Sequence, residues 1–527
     1  MNRLRRLWII PFLMFILAAC TGNNTSNDTR EEFRVGMEAN YAPFNWTQSE
    51  AGEGTAPIED GEYAGGYDVS IAQKIADKLN RKLVIVKLEW DGLIPSLQSG
   101  KIDAIIAGMS PTEERAQQID FTGPYYESVF MMIVRKDGAY ANTSSIDDFA
   151  GARVTAQLGT FHYDMIDQLK GAVKQEAMSD FSAMRVALES GKIDAYVSEK
   201  AVANEVVAAS KDLKMIEFAF GKGFVTKPEE VQTAIGVKKG SPLKEQINTV
   251  LSEISTSERD ELMDKASRGP SEQTTGHFLE EMGVIFQKYY PQLFAGMGVT
   301  LYISLIGTIV GLLIGLLIGV IRTVPLSDKK GAYRVFLKVV NWLLNAYVEI
   351  FRGTPMIVQA MVVYYGSALL FHLDMDKTFA ALLIVSINTG AYMSEVVRGG
   401  ILSIDKGQFE ACQAIGMTHL QAMKYIVLPQ VLRNILPATG NEFVINVKDT
   451  SVLNVIGVSE LFFVTKSIAA TNYQFFQTFL VTCIFYFIMT FVITRILRWL
   501  EKRLSGKQSY SLASGNQMQV SKAQEKE

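Results

Sequence analysis

Between Leu301 and Ile321 the chain runs for 21 residues without one charged side chain, and this stretch constrains the fold more than any other feature. An apolar run of that length matches a helix crossing a bilayer core, which needs about 20 residues. Charges are scattered through the sequence up to about residue 290 and sparse in several long stretches beyond it. The 20% charged and 48% hydrophobic content therefore averages two unlike halves, and 527 residues exceed one ordinary core. A purely soluble protein, a disordered chain and a collagen-like repeat are all excluded. With 51 Lys and Arg against 55 Asp and Glu, nothing argues for nucleic acid. Cys20, Cys412 and Cys483 are too scattered for a disulfide framework, and with four histidines they give no metal site.

The N-terminus reads as a targeting segment over residues 1–20. Arg3, Arg5 and Arg6 precede an apolar run that is short for a membrane span and suited to a signal peptide. It ends in Leu17-Ala18-Ala19-Cys20, which resembles a bacterial lipobox and implies lipidation of Cys20; an uncleaved anchor with an incidental cysteine is the other reading. Residues 21–32 are small and polar, as in a tether.

Two segments repeat 91 residues apart: Leu97-Gln98-Ser99-Gly100-Lys101-Ile102-Asp103-Ala104 and Leu188-Glu189-Ser190-Gly191-Lys192-Ile193-Asp194-Ala195. Each reads as a helix end, a Gly stop and a short apolar strand, which argues for two α/β lobes with a cleft between them.

Residues 33–262 resemble the extracytoplasmic binding proteins of polar amino-acid ABC transporters. The matching stretches are Tyr41-Ala42-Pro43-Phe44, Gly66-Tyr67-Asp68-Val69, Trp90-Asp91-Gly92-Leu93-Ile94-Pro95, Ala107-Gly108-Met109-Ser110, Arg115 and Asp120-Phe121-Thr122-Gly123-Pro124-Tyr125-Tyr126. The resemblance implies a two-lobed periplasmic-binding-protein fold of type II. It puts Arg115 at the carboxylate-binding position, where a guanidinium fork matches both oxygens, with Gly108 and Ser110 adding donors. Glu199 follows the second repeat where the family places an acid for the ligand's ammonium, although many relatives carry Asp. Gln157 and the Gly159-Thr160-Phe161 turn fall where the second lobe meets the ligand. Side-chain choice is expected to rest on Glu38, Tyr41, Trp90 and Gln157. Aromatic faces attract a cation and Glu38 suits its end, so Arg, Lys or His comes first and Gln second.

A polar stretch with Gly and Pro over 266–276 marks a boundary, so 263–292 reads as a linker with an interfacial segment over Phe278–Gln292. Residues 293–505 form the membrane half and 506–527 a disordered cytoplasmic tail. Five spans are expected, at 294–321, 341–371, 378–397, 434–456 and 474–494. The segments then facing inward carry thirteen Lys and Arg against Lys288, Lys377 and Lys466 outward, an orientation with the binding domain outside. Gly307, Gly311, Gly315 and Gly319 place a smooth stripe on one helix face for close packing.

Residues Gly407–Met417, with Leu428-Pro429 downstream, resemble the EAA loop of ABC importer permeases, Cys412 standing for its second alanine. Arg352-Gly353-Thr354-Pro355 and Lys448-Asp449-Thr450-Ser451 resemble their amino-acid branch. This implies an all-α type I importer permease whose Glu410, Ala411 and Gly416 couple it to an ATPase. Charged residues within spans are costly, so Glu349, Arg352, Glu395, Glu442, Lys448 and Asp449 are pathway candidates or paired structural groups.

No Gly-x-x-x-x-Gly-Lys-Ser/Thr stretch is present, so the energy source is expected to be a separate cytoplasmic ABC ATPase, itself a homodimer. A homodimer of this chain would enclose the path. The chain reads as a transporter subunit of the bacterial cell membrane, not an enzyme, with no cofactor. A ligand-gated channel would want a Thr-Val-Gly-Tyr-Gly filter, which is absent, and a dehydratase-like enzyme would want a catalytic constellation that does not appear.

Overall fold

The computed structural model describes residues 30–504, apart from 49, 59–61, 268–277, 326–330, 374 and 473. The targeting segment with Cys20, the C-terminal tail and nearly all of the 21–32 tether lie outside the described residues, as do positions 268–277 of the linker.

Among the described residues four short strands between Asn40 and Gly65 form a small sheet, and ten others build two larger ones. The ten are β1 (Glu32–Met37), β2 (Lys82–Lys87), β3 (Ala104–Ile105), β4 (Asp120–Glu127), β5 (Phe130–Arg135), β6 (Arg153–Thr155), β7 (Val173–Lys174), β8 (Ala195–Glu199), β9 (Leu213–Ile216) and β10 (Gln232–Val237). The first sheet runs β2-β1-β3-β10-β4 and the second β7-β6-β8-β5-β9. In each, three strands pair in parallel and the first strand after a lobe crossing inserts antiparallel: β5 beside β8, β10 beside β3. The chain thus crosses between lobes at Ser128-Val129 and again before β10. This is the two-lobed architecture expected from the repeat.

The repeat has a physical basis. Asp103 pairs with Arg34 at 3.0 Å and Asp194 with Arg153 at 2.8 Å, each Asp also accepting the backbone N–H of its arginine. Gly100 and Gly191 both sit at positive φ, and their carbonyls accept from the same two guanidinium groups. One helix-to-strand device serves both lobes.

The membrane half contains α1 (Phe278–Arg322), α2 (Gly331–Gly353), α3 (Met356–Phe371), α4 (Lys377–Leu402), α5 (Lys406–Ala414), α6 (Leu428–Asp449), α7 (Leu461–Asn472) and α8 (Phe475–Leu504). Among the described residues three helices, α1, α4 and α8, are long and apolar enough to cross a membrane alone. Two more crossings arise if each bent pair counts as one: α2 with α3, bent by 113°, and the His419–Ile456 stretch with α7, bent by 58°. The first bend falls at Thr354-Pro355, since proline has no N–H to continue the ladder.

Two boundaries differ from the sequence reading. Phe278–Gln292, read as an interfacial segment ahead of the first span, is helical and continuous with it: it opens α1, whose 45 residues extend about 68 Å. Its Ile285, Tyr289 and Leu293 pack in a core with Val481, Phe485 and Met489 of α8. The helix α7 lies beyond the expected fourth span, and burial on two sides, against the bundle and against the binding domain, holds its short, mostly apolar sequence helical.

The glycine stripe packs α1 on α4. A Cβ on Gly307, Gly311, Gly315 or Gly319 would come within 2.5–2.6 Å of Val385, Thr389, Met393 or Val397 respectively. Beside this seam Asn446 of α6 donates to Thr308 at 2.8 Å and Thr389 at 2.9 Å, joining three helices through a buried polar contact.

Candidate functional site

The lobes close on a narrow cavity of about 20 Å³, and all ten binding candidates, from Glu38 to Glu199, line it. Arg115 enters from the short helix between β3 and β4. Its guanidinium lies 5.1 Å above the Trp90 ring, donates to the Ser110 carbonyl at 3.0 Å and reaches across the cleft to the Gly159 carbonyl at 3.2 Å. Burial lowers its pKa to about 10, so it stays charged at neutral pH. Trp90 Nε1 also donates to Gly159 at 3.3 Å. The aromatic face expected to meet the ligand's side chain therefore also supports Arg115, the residue expected to clamp the carboxylate.

Gly108 is required in two ways. Its φ is +64°, and a Cβ there would stand 2.9 Å from the Tyr41 ring. Its N–H, expected as a ligand donor, donates to the Tyr125 hydroxyl at 3.1 Å, which in turn donates to Asp68 at 2.7 Å. The Ser110 hydroxyl likewise donates to the Glu230 carbonyl at 3.3 Å.

From the second lobe comes Glu199, at the end of β8, where the Ser128 and Tyr41 hydroxyls donate to its carboxylate. Burial pushes Glu199 up to about 7, and those two donors oppose the rise. Gln157 donates to the Ser179 carbonyl at 3.3 Å and Thr160 to the Gln157 carbonyl at 2.8 Å, fixing the turn that carries Phe161. At the other end Glu38 is pushed up to about 8 by burial and by Glu89, with Asp180 and Asp91 adding to the rise and Lys466 opposing it.

His162 also lines the cavity, and the sequence reading stopped one residue short of it. Neither ring nitrogen has a hydrogen-bond partner among the described residues. Burial and the Arg115 charge push its pKa down to about 3, so its 3.8 Å approach to Glu199 is not an ion pair.

The binding domain rests on the membrane half. The Thr471 hydroxyl donates to the Thr47 carbonyl at 2.8 Å, Lys101 donates to the Met375 carbonyl at 3.2 Å, and Lys87 bonds Ser467. Lys466 pairs with Glu89 and Asp180 beside the ligand cavity. These contacts join residues hundreds of positions apart, and no local pattern announces them.

Residues 33–267 match the family of bacterial extracellular solute-binding proteins, family 3, and residues 330–506 match the binding-protein-dependent transport system inner membrane component. The glutamine transport system permease protein GlnP of Escherichia coli (strain K12) is 39% identical over 215 residues, 41% of this chain and 93% of that protein. The arginine transport system permease protein ArtQ of Bacillus subtilis (strain 168) is 32% identical over 214 residues, again 41% and 93%. Among solved structures, the amino acid ABC transporter substrate-binding protein AbpA from Streptococcus pneumoniae, bound to L-arginine, is 28% identical, covers 46% of this chain and 97% of its own, and has a TM-score of 0.40.

The chain belongs to the amino-acid ABC importers, as a binding protein fused to its permease. It is a transport subunit, not an enzyme, and a multi-pass inner-membrane protein with a periplasmic binding domain.

In the importer's permease half, α5 is capped by Asp405, whose carboxylate accepts the Gly407 N–H at 2.6 Å. The helix ends in a Schellman turn: Met417 N–H donates to the Cys412 carbonyl and Gly416 N–H to the Gln413 carbonyl, both at 2.9 Å. Gly416 has φ +76° with open space around it, so conformation alone requires glycine. Glu410 and Ala411 are exposed, Cys412 is buried, and Ile415 and Leu420 stand 76% and 73% exposed nearby.

The six membrane candidates do not gather. Glu395 lies between Arg322 and Arg398, bonded to both, and ties the end of α1 to α4 as a paired structural group. Glu349 and Arg352 are exposed on α2, Arg352 standing 5.4 Å over the Tyr392 ring. Glu442 is half-buried and Asp449 exposed on α6, while Lys448 lines an open cavity of about 350 Å³ with Arg495 and Arg498.

Proposed function

We propose that this importer subunit captures a cationic amino acid, arginine, lysine or histidine, in the cleft of residues 33–262 and passes it through the membrane half by alternating access. The observation that carries this reading is the charge order along one cavity. Arg115 faces the position for a carboxylate, Glu199 offers an anion for the ammonium, and Glu38 sits among Glu89, Asp91 and Asp180 at a third point. Those three carboxylates outnumber the ammonium beside them, Lys466, and the anionic excess favours a positive side-chain end.

Glutamine is the second reading. A Glu38 carboxyl raised to about 8 is protonated at neutral pH and suited to donate a hydrogen bond to an amide oxygen, with Gln157 nearby. The names of the relatives divide the same way.

The motive force comes from a separate ABC ATPase pair seated on Glu410, Ala411 and the exposed apolar residues beside them, with Gly416 turning the chain beneath. Two copies of this chain enclose the path, on which Glu349, Arg352, Glu442, Lys448 and Asp449 remain candidates. Residues 1–20 export the binding domain and Cys20 carries a lipid, leaving 406–417 and the C-terminus in the cytoplasm.

The test is uptake by the full chain, reconstituted in vesicles with its ATPase, of labelled arginine, lysine, histidine and glutamine. ATP-driven uptake with arginine, lysine or histidine preferred supports the reading. A preference for glutamine selects the second, and uptake independent of ATP rejects both.

A further inference from the structure

Lys466 lies midway along α7, where the membrane half meets the binding domain. Its ammonium is 2.8 Å from Glu89 Oε2 and 3.5 Å from Asp180 Oδ2, and the three side chains are only 13%, 18% and 11% exposed. Ion pairs this far from solvent escape the screening that makes surface pairs weak.

The two carboxylates belong to different lobes. Glu89 follows β2 in the first lobe and leads directly into Trp90. Asp180 belongs to the second, where it caps the Phe181–Glu189 helix by accepting the Ala183 N–H at 2.9 Å. That helix carries Phe181, whose ring lies 5.0 Å from Tyr41 of the ligand cavity. The bonds from Thr471 to Thr47, from Lys87 to Ser467 and from Lys101 to Met375 hold the first lobe. Lys466 adds an ion pair to the second, whose Phe181–Glu189 helix also packs against α7 and α8.

We propose that Lys466 reads lobe closure: one ammonium can pair with Glu89 and Asp180 together only while the lobes are drawn together, so the membrane half holds a closed binding domain more tightly than an open one. The relation is reciprocal. Whatever closure contributes to docking, docking contributes to closure, and the docked domain therefore closes more readily over its ligand. The inference rests on capture between two lobes and not on which amino acid is captured.

The experiment uses the full chain in lipid nanodiscs without nucleotide, one fluorophore on each lobe, with lobe distance read molecule by molecule. L-Arginine and L-glutamine are titrated separately. Lys466→Met, which keeps an apolar stem and removes the charge, should lower the ratio of closed to open molecules about tenfold at equal subsaturating ligand, and weaken apparent affinity by the same factor. Glu89→Gln should repeat this from the other side of the pair, and Lys466→Arg should stay close to the parent. If Lys466→Met does not assemble, Glu89→Gln carries the test.

Unchanged lobe distances in the charge-removing variants would overturn the proposal. So would tighter binding of arginine alone in Lys466→Met, which would make Lys466 a competitor for the ligand's cationic end. Should neither amino acid close the parent, the substrate reading fails, and the closed fraction without ligand still decides the role of Lys466.

Discussion

The Ser128 hydroxyl, at the first crossing between the lobes, donates to Glu199 Oε2 at 3.0 Å. The hinge thereby touches the group proposed to meet the ligand's ammonium. Burial already pushes Glu199 up to about 7, and this bond is the first of the donors holding it down. Ser128→Ala should raise it further and leave less carboxylate at neutral pH. A hydrogen bond to a charged group contributes roughly 1.5–3 kcal/mol, so amino-acid affinity should fall about tenfold or more at pH 7. The loss should shrink at pH 8.5, where a larger share of Glu199 is ionised in the variant. Calorimetry at the two pH values checks this, and a loss independent of pH would count against it.

Arg115 bears on the ligand and on closure together, through its bond to Gly159. Arg115→Ala should cost about 2–5 kcal/mol of binding, the range for truncating one partner of a buried charged pair. In affinity that is a factor of tens to thousands. Binding within threefold of the parent would remove Arg115 from the carboxylate site.

The Glu38 pKa gives a pH dependence of definite sign. Its carboxyl sits at about 8, above its ordinary 4.5, because burial and Glu89 disfavour the anion. Pairing with a guanidinium requires the anion, so arginine binding releases a proton below pH 8. Arginine affinity should therefore rise with pH, by up to about tenfold per unit, and level off above 8. Glu199 titrates for either ligand alike, so the difference between arginine and glutamine slopes isolates Glu38. Glu38→Gln should abolish that difference and weaken arginine far more than glutamine. Calorimetry in buffers of different ionisation enthalpy counts the proton directly, and equal losses for both ligands would reject the cationic reading.

A Cβ on Gly315 would stand 2.6 Å from Met393 Cβ and 2.8 Å from its carbonyl carbon. Backbone cannot rotate aside as a side chain can, so Gly315→Ala should destabilise the α1–α4 seam by about 1–3 kcal/mol. Gly298, on the same helix with open space around it, is the control and should tolerate alanine. Thermal unfolding of the detergent-solubilised chain compares them, with amino-acid affinity expected unchanged in both.

Gly416→Val should abolish ATP-driven uptake while amino-acid binding stays at the parent level. The left-handed conformation costs a residue with a Cβ about 1–2 kcal/mol, more for a stiff branched side chain. Gly416→Asn, which visits that region more readily, should keep part of the uptake. Normal uptake by well-expressed Gly416→Val would mean that this turn does not couple the ATPase to the bundle.

Some of this molecule is legible from local sequence because the causes are local. The recurrence of Ser-Gly-Lys-Ile-Asp-Ala reflects one device, an aspartate pairing with an arginine of a neighbouring strand below a left-handed glycine, built once in each lobe. Glycines four apart in α1 mark a helix face whatever they meet. The α5 turn shows its Gly416 in the same way, and the bend at Thr354-Pro355 carries its proline.

Contacts across the fold are another matter. That the glycine stripe meets α4, that His162 enters the cleft beside Glu199, and that Phe278–Gln292 forms one helix with the first span all depend on which surfaces come together. The clearest instance is Lys466, 377 positions from Glu89 in sequence. In sequence it is one of three lysines scattered over the outward-facing segments, unremarkable in composition and spacing. Its partners exist only where two lobes close and a third element packs against both. Periodicity and motif report what a segment does with its own neighbours, within a few turns or one strand. Burial against a distant segment, and the loss of solvent screening that gives an ion pair its strength, arise only when the chain has brought its halves together.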